Sequence, residues 1–169
     1  MSKKISRRDF IKTTAAAGGA AALMPQTIFS SQNKKNLRIG FIGTGLRGQW
    51  MLWLATKYPD VEIPAICDID DGMISAALKI IKDSGRKEPK VYKKNDEDFR
   101  NLVKDEELDG VYIATPWEWH HPMAIAAMKA GIHVGTEVPA ALTVNECWDL
   151  VNVSEKTGKF CMIMENVCY

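Results

Sequence analysis

The chain has 169 residues, 46% of them hydrophobic and 25% charged, which suffices for one domain around one core. Its formal net charge of +1 hides an uneven spread: residues 1–32 hold Lys3, Lys4, Arg7, Arg8 and Lys12 against the single acid Asp9, leaving 17 basic and 20 acidic residues in the remainder. A mildly acidic body has no electrostatic footprint for nucleic acid.

Residues 1–12, MSKKISRRDFIK, form a basic stretch, and about Thr13 to Met24 is a short apolar run rich in Ala and Gly. A basic segment followed by such a run is a secretory signal, too short to span a bilayer. Ser6-Arg7-Arg8-Asp9-Phe10-Ile11-Lys12 resembles the twin-arginine signal, with Ile11 where that pattern takes Leu. That route exports folded proteins, so the twin-arginine translocase is an expected partner and the periplasm or exterior the expected location. No cysteine lies directly after the apolar run, so no stable membrane anchor is expected. The division is then a signal over 1–32 and one folded domain over 33–169.

Leu37 to Ile42 is a short β-rich run, followed by Gly43-Thr44-Gly45-Leu46-Arg47-Gly48. From Gln49 to Lys57, Trp50, Met51, Trp53 and Leu54 recur at helical spacing. Val61 to Cys67 is the next apolar run, Asp70 to Ser84 a helix, Val91-Tyr92 a weak strand and Asp96 to Lys104 a helix with Phe99, Leu102 and Val103 on one side. Gly110 to Thr115 is a buried strand stopped by Pro116, and an exit loop rich in Trp and His leads to a helix over Pro122 to Ala130. Ile132 to Thr136 is a strand. Thr143 caps a helix to Thr157, with Glu146 three residues on and Gly158 after its end; Phe160 to Met164 is the last strand. Six strands alternating with five helices predict an α/β fold, a doubly wound parallel sheet of Rossmann type covered on both faces.

The glycine motif sits between a strand and a helix, as a dinucleotide site requires. Gly43 allows the tight turn, Gly45 lets backbone approach a pyrophosphate, and Gly48 lets helix pack on strand. Free N–H groups at the helix start receive the anion. Asp68 ends the second strand, twenty residues beyond Gly48. A carboxylate there accepts from ribose hydroxyls and repels a 2′-phosphate, favouring NAD over NADP, with Asp70 as a competitor for the role. Trp117, Glu118, Trp119 and His120 leave the fourth strand at the edge that faces the cofactor cleft. Glu137 and Val138 leave the fifth at that edge, and Glu165-Asn166 the sixth. His133 reads as a packed core histidine. Cys67 and Cys161 read as buried free thiols, and no Cys/His spacing suggests a metal.

These residues resemble the N-terminal domain of the glucose–fructose oxidoreductase and inositol dehydrogenase superfamily. Those proteins carry Glu-Lys-Pro after the fifth strand, where this chain has Glu137-Val138-Pro139, so the lysine that reaches nicotinamide and substrate is absent. The chain is more similar to glycoside hydrolase family 109, the NAD-dependent α-N-acetylgalactosaminidases. That resemblance rests on Gly-Leu-Arg-Gly at 45–48, Pro-Trp-Glu-Trp-His at 116–120, Ala-Ala-Met-Lys-Ala-Gly at 126–131, Glu-Cys-Trp-Asp-Leu-Val at 146–151 and Glu-Asn-Val-Cys-Tyr at 165–169.

The resemblance implies NAD contacts at Leu46, Arg47, Asp68, Trp117 to His120, Glu137, Val138 and Asn166, and places Tyr169 on the substrate side of the nicotinamide. It implies redox-neutral hydrolysis of an N-acetylgalactosaminide: hydride leaves sugar C3, the ketone acidifies C2, the C1 group is eliminated, water adds and the hydride returns. It also implies that a second α/β domain, which binds the sugar in the family, is missing from this sequence, and that the chain alone is inactive. The alternatives are a fragment of an exported NAD(P)-dependent sugar oxidoreductase and a non-catalytic NAD-binding module.

Overall fold

A computed structural model describes residues Asn36–Asn166. The proposed signal and Tyr169 lie outside the described residues. Seven strands and five helices follow in order: β1 (Leu37–Ile42), α1 (Leu46–Ala55), β2 (Val61–Glu62), β3 (Ala65–Cys67), α2 (Asp71–Asp83), β4 (Lys90–Tyr92), α3 (Phe99–Asp105), β5 (Gly110–Ile113), α4 (Trp117–Lys129), β6 (His133–Thr136), α5 (Val144–Thr157) and β7 (Cys161–Ile163).

Two expectations need correction. The run Val61 to Cys67 is two strands, because Pro64 has no N–H for a sheet ladder. Trp117 to His121 is not an exit loop but the opening of α4, which starts five residues before Pro122 and contains it. Pro at 122 invites a helix start there, yet it lies early enough in α4 that only the bond to the Glu118 carbonyl is forfeited.

Every strand pairing is parallel, and the order is β4-β3-β1-β5-β6-β7, with β2 beside the start of β1. The chain moves outward from β1 through β3 to β4, then returns to lay β5 on β1's other side. That reversal opens a crevice at the carboxyl ends of β1, β3 and β5. The register aligns the exits: Ile42 pairs with Cys67 and Ile113, Ile113 with Thr136, and Thr136 with Ile163. The segments leaving these residues therefore emerge along one line.

Alternation along the strands divides the core between two faces. Phe41, Ile66 and Tyr112 pack with Leu52 of α1 and Ile74, Ala77 and Ile81 of α2. Ile42, Cys67, Val111, Ile113 and Val134 pack with Phe99 and Leu102 of α3, Met123, Ala127 and Met128 of α4, and Leu150 of α5. Burying each large aliphatic side chain contributes roughly 1.5–3 kcal/mol. Burial also pushes the Cys67 thiol up to about 12 and the Cys161 thiol up to about 11, so both remain protonated; Cys161 is only partly buried. α5 starts on the expected capping box, Thr143 Oγ accepting from Glu146 N–H at 3.2 Å and Glu146 Oε2 from Thr143 N–H at 3.0 Å. It ends at Gly158 with φ +68°.

The first face is not fully covered. An open apolar trough of about 330 Å3 runs over β5, β6 and β7, floored by Gly110 and Gly135, bounded by Phe160 and Met164, and bordered among the described helices by α1 alone. His133 is half-buried on this trough, 4.0 Å from the Phe160 ring, rather than within a closed core. α1 is apolar on two sides: Leu52 is buried, while Leu46, Trp50 and Trp53 form an exposed stripe at i, i+4 and i+7.

A buried acid anchors the approach to α3. Asp98 accepts from the Lys94 N–H at 2.8 Å and from Asn101 Nδ2 at 2.7 Å. The Lys94 bond is the main reason its carboxyl sits below the ordinary 3.8. A depressed folded value stabilises above the unfolded one and loses that contribution as pH falls through the folded value. Thermal melts between pH 7 and pH 3 should show stability falling below about pH 4. Asp98→Asn, weaker by about 1–2 kcal/mol at pH 7, should fall less over that window; parallel curves would contradict the assignment.

Candidate dinucleotide site

The glycines between β1 and α1 differ in what they permit. Gly43 has φ +86°, and a Cβ there would lie 2.5 Å from the Ala114 carbonyl oxygen. A Cβ on Gly48 would lie 2.1 Å from the Gly43 carbonyl oxygen. Gly45, the N-cap of α1, has φ −65°, which any residue can adopt, and a Cβ there would meet nothing within 4 Å. Gly43 and Gly48 are thus demanded by packing, whereas Gly45 keeps an open space clear. No side chain caps α1 and no acid lies in its first turn, so its leading N–H groups stay available to an anion. An open cradle beneath free amides fits a pyrophosphate.

On the β3 side, Asp68 Oδ2 accepts from the Thr44 N–H at 2.5 Å and from Thr44 Oγ at 2.9 Å, and Oδ1 accepts from the Asp70 N–H at 3.0 Å. Asp70, the competitor, turns its Oδ1 to the Met73 N–H at 2.9 Å and caps α2. A cavity of about 320 Å3 adjoins Asp68, with Gly43 and Gly45 on one wall, Met73 and Asn95 on another, and Pro116, Trp119 and Met123 opposite. Its largely apolar walls and the fixed carboxylate of Asp68 suit an adenosine.

The four residues expected in the exit loop have different positions on α4. Trp117 and Glu118 are exposed in its first turn. Trp119 is half-buried, its ring edge-on to Phe99 at 6.1 Å, and walls the cavity. His120 is fully buried, with Nε2 2.8 Å from the Thr115 carbonyl and Nδ1 2.7 Å from the Pro139 carbonyl. It ties the exit of β5 to the turn after β6, where Val138–Pro139 is cis. Both ring nitrogens thus face main chain.

On the β6 side a second cluster forms. Arg47 Nε donates to Glu137 Oε1 at 2.7 Å, and its Nη2 donates to Asn166 Oδ1 at 2.8 Å. The Glu137 hydrogen bond raises the Arg47 pKa further. Arg47 also lies over the Trp50 ring at 5.2 Å. Val138 is exposed beside this cluster, as is Leu46. The register therefore brings Asp68, Gly45 and the Arg47–Glu137–Asn166 group to one edge of the sheet, although 119 positions separate Arg47 from Asn166.

Two buried residues in the site escape sequence reasoning. Thr44 is fully buried and orients Asp68; a hydroxyl between two glycines was the only hint. Tyr112, in β5, donates its hydroxyl to Glu137. Among the described residues, no group of three His, Cys, Asp or Glu could hold a metal, and no helix is long and apolar enough to cross a membrane.

Residues 37–165 match the family model described as an oxidoreductase family with NAD-binding Rossmann fold, and residues 4–24 match the twin-arginine translocation signal, which addresses the chain for export by that pathway. The chain is 49% identical over 180 residues to a glycosyl hydrolase family 109 protein of Parabacteroides distasonis, covering 97% of this chain and 39% of the relative. It is 48% identical to an alpha-N-acetylgalactosaminidase of Tannerella forsythia, again over 97% of this chain and 39% of the relative. It thus spans about two-fifths of the length of these curated relatives. Among solved structures, an NAD-binding protein from Listeria innocua aligns with TM-score 0.66 and 27% identity, over 80% of this chain and 37% of that one. A myo-inositol 2-dehydrogenase from Lactobacillus plantarum aligns with TM-score 0.64 and 27% identity, over 76% and 36%.

Proposed function

Because the chain belongs to the oxidoreductase family with the NAD-binding Rossmann fold, we propose that it is the cofactor-holding part of an exported glycosidase acting on α-N-acetylgalactosaminides. NAD, when bound, supplies a hydride acceptor for sugar C3 and the means to return that hydride, so the net reaction is hydrolysis. The observation that carries this reading over a plain dehydrogenase is the β6 exit. Where the dehydrogenases of the superfamily place a lysine, this chain exposes Val138, and the polar work at that edge falls to the Arg47–Glu137 pair. Likeness to the family 109 relatives supports the sugar class.

In this reading the α1 amides at Gly45 and Leu46 take the pyrophosphate, and Asp68 takes the adenosine ribose. Trp117, Glu118, Trp119 and the segment that His120 holds in place line the β5 exit. Arg47, Glu137, Val138 and Asn166 bound the nicotinamide half, and Tyr169 stands on the substrate side. The twin-arginine translocase acts on residues 1–32, and residues 33–169 form the domain. Residues 36–166 furnish one wall of a cleft. Holding sugar C3 within about 3–3.5 Å of a nicotinamide needs an opposing wall, so these residues alone should give no turnover.

The test compares this chain with a version extended by the remainder of a family 109 relative, each given NAD and an α-N-acetylgalactosaminide in D2O. The extended version should release the sugar with deuterium at C2 and without net NADH, while the short one stays at the blank. Hydrolysis without deuterium at C2 would contradict the elimination route, and accumulating NADH would point to a sugar oxidoreductase.

A further inference from the structure

Tyr112 lies in the middle of β5, between Val111 and Ile113, and is buried against Phe41, its ring centroid 5.6 Å from the Phe41 centroid. Its ring fills the sheet face as a phenylalanine would. Gly135 on the neighbouring strand borders it: a Cβ there would make ordinary contact with Tyr112 Cδ2 at 3.8 Å and a tighter one with Met164 Sδ at 3.3 Å. What separates tyrosine from phenylalanine at this position is one hydroxyl, which donates to Glu137 Oε1.

That oxygen is the one to which Arg47 Nε also donates. Two donors on Oε1 leave Oε2 outside both bonds and fix the rotation of the carboxylate. Without the hydroxyl, Glu137 would be oriented by Arg47 alone, and Arg47 belongs to a long side chain one-third exposed to water. Such a part-buried pair, with rotamer freedom in two long side chains, defines geometry less tightly than a contact to a fixed ring does. The tyrosine differs: its ring is clamped by Phe41, so its hydroxyl is a fixed point. Fixing Glu137 fixes Arg47, which carries the constraint to Asn166 at 2.8 Å. Burial, then the Glu137 hydrogen bond, raises the Tyr112 pKa, so the hydroxyl stays a donor at physiological pH.

We propose that Tyr112 is a positioning residue for the nicotinamide half of the site: its hydroxyl sets the Glu137 carboxylate and, through it, Arg47 and Asn166. This rests on the reading of Glu137 and Arg47 as cofactor contacts. Hydrogen bonds to charged groups are among the stronger ones in proteins, so the constraint is large enough to measure.

The test uses the chain with Tyr112→Phe, Glu137→Ala and both together, titrated with NAD, plus solvent exchange of the Arg47 Nε–H by 15N NMR in the absence of nucleotide. Tyr112→Phe should weaken NAD roughly tenfold, and should add no further loss in the Glu137→Ala background. Where Glu137→Ala weakens NAD, equal losses in both backgrounds would reduce Tyr112 to a structural residue, and unchanged NAD affinity in Tyr112→Phe would overturn the proposal. If Glu137→Ala itself binds NAD normally, the reading of Glu137 as a cofactor contact fails, and the exchange rate then decides. Arg47 exchange faster by about tenfold in Tyr112→Phe would sustain the positioning role; an unchanged rate would end it.

Discussion

Gly48→Ala should unfold the chain at a temperature lower by about 10 °C and abolish measurable NAD binding. The added methyl would stand 2.1 Å from the Gly43 carbonyl oxygen, a main-chain atom with no rotamer to swing aside. α1 must therefore lift off β1, at a cost of about 3 kcal/mol. Lifting also moves the amides at the start of α1 away from the anion they would hold. Gly45→Ala is the contrasting variant. Its backbone is ordinary at φ −65° and its Cβ meets no protein atom. The fold should melt within a few degrees of wild type, while NAD affinity falls by about thirtyfold or more, because the methyl occupies the space a pyrophosphate needs. Differential scanning fluorimetry and NAD titration on both variants separate the two roles. Equal NAD affinity for Gly45→Ala and wild type would mean that the cradle is not the anion site.

Asp68→Asn should invert much of the discrimination between NAD and NADP. The carboxylate is held on three sides by donors, Thr44 N–H, Thr44 Oγ and Asp70 N–H. An asparagine can satisfy only part of this, because its amide nitrogen must face one of those donors. Loss of the charge weakens bonds to the ribose hydroxyls by roughly 1.5–3 kcal/mol, a factor of about 10 to 100 in NAD affinity. It also removes the repulsion against a 2′-phosphate, so NADP should bind more tightly than to wild type. Titration of both nucleotides against both proteins measures this. A preference for NAD that survives the substitution would shift the discriminating role to another residue.

Much of this edge is legible in the amino-acid sequence, and for a physical reason. Strand exits in a parallel sheet all face one way, so locating strand ends locates the site. The apolar runs read from the sequence end at Ile42, Cys67, Thr115, Thr136 and Met164, each within two residues of an observed strand end, and the observed register aligns those ends. The capping box at Thr143 is equally legible, because caps depend on a few adjacent residues. The features that escape depend on contacts distant in sequence. Helical spacing identifies α1 but not its orientation, and Trp50 and Trp53 turn outward while Leu52 packs inward. Pro122 suggests a helix start, yet His120, pinned by the Thr115 and Pro139 carbonyls, is held near the start of a helix that opens at Trp117. The hydroxyls of Thr44 and Tyr112 sit in runs that read as turn and strand, and only the fold shows which carboxylates they meet.

The carboxyl edge joining Asp68, Gly45 and the Arg47–Glu137–Asn166 group is proposed as the NAD site. Calorimetric titration of the folded, nucleotide-free chain with NAD and with NADP tests it most directly. NAD should bind saturably and 1:1, with NADP weaker by about two orders of magnitude. No saturable binding of NAD while circular dichroism shows the α/β fold intact, or equal affinity for NADP, would contradict it.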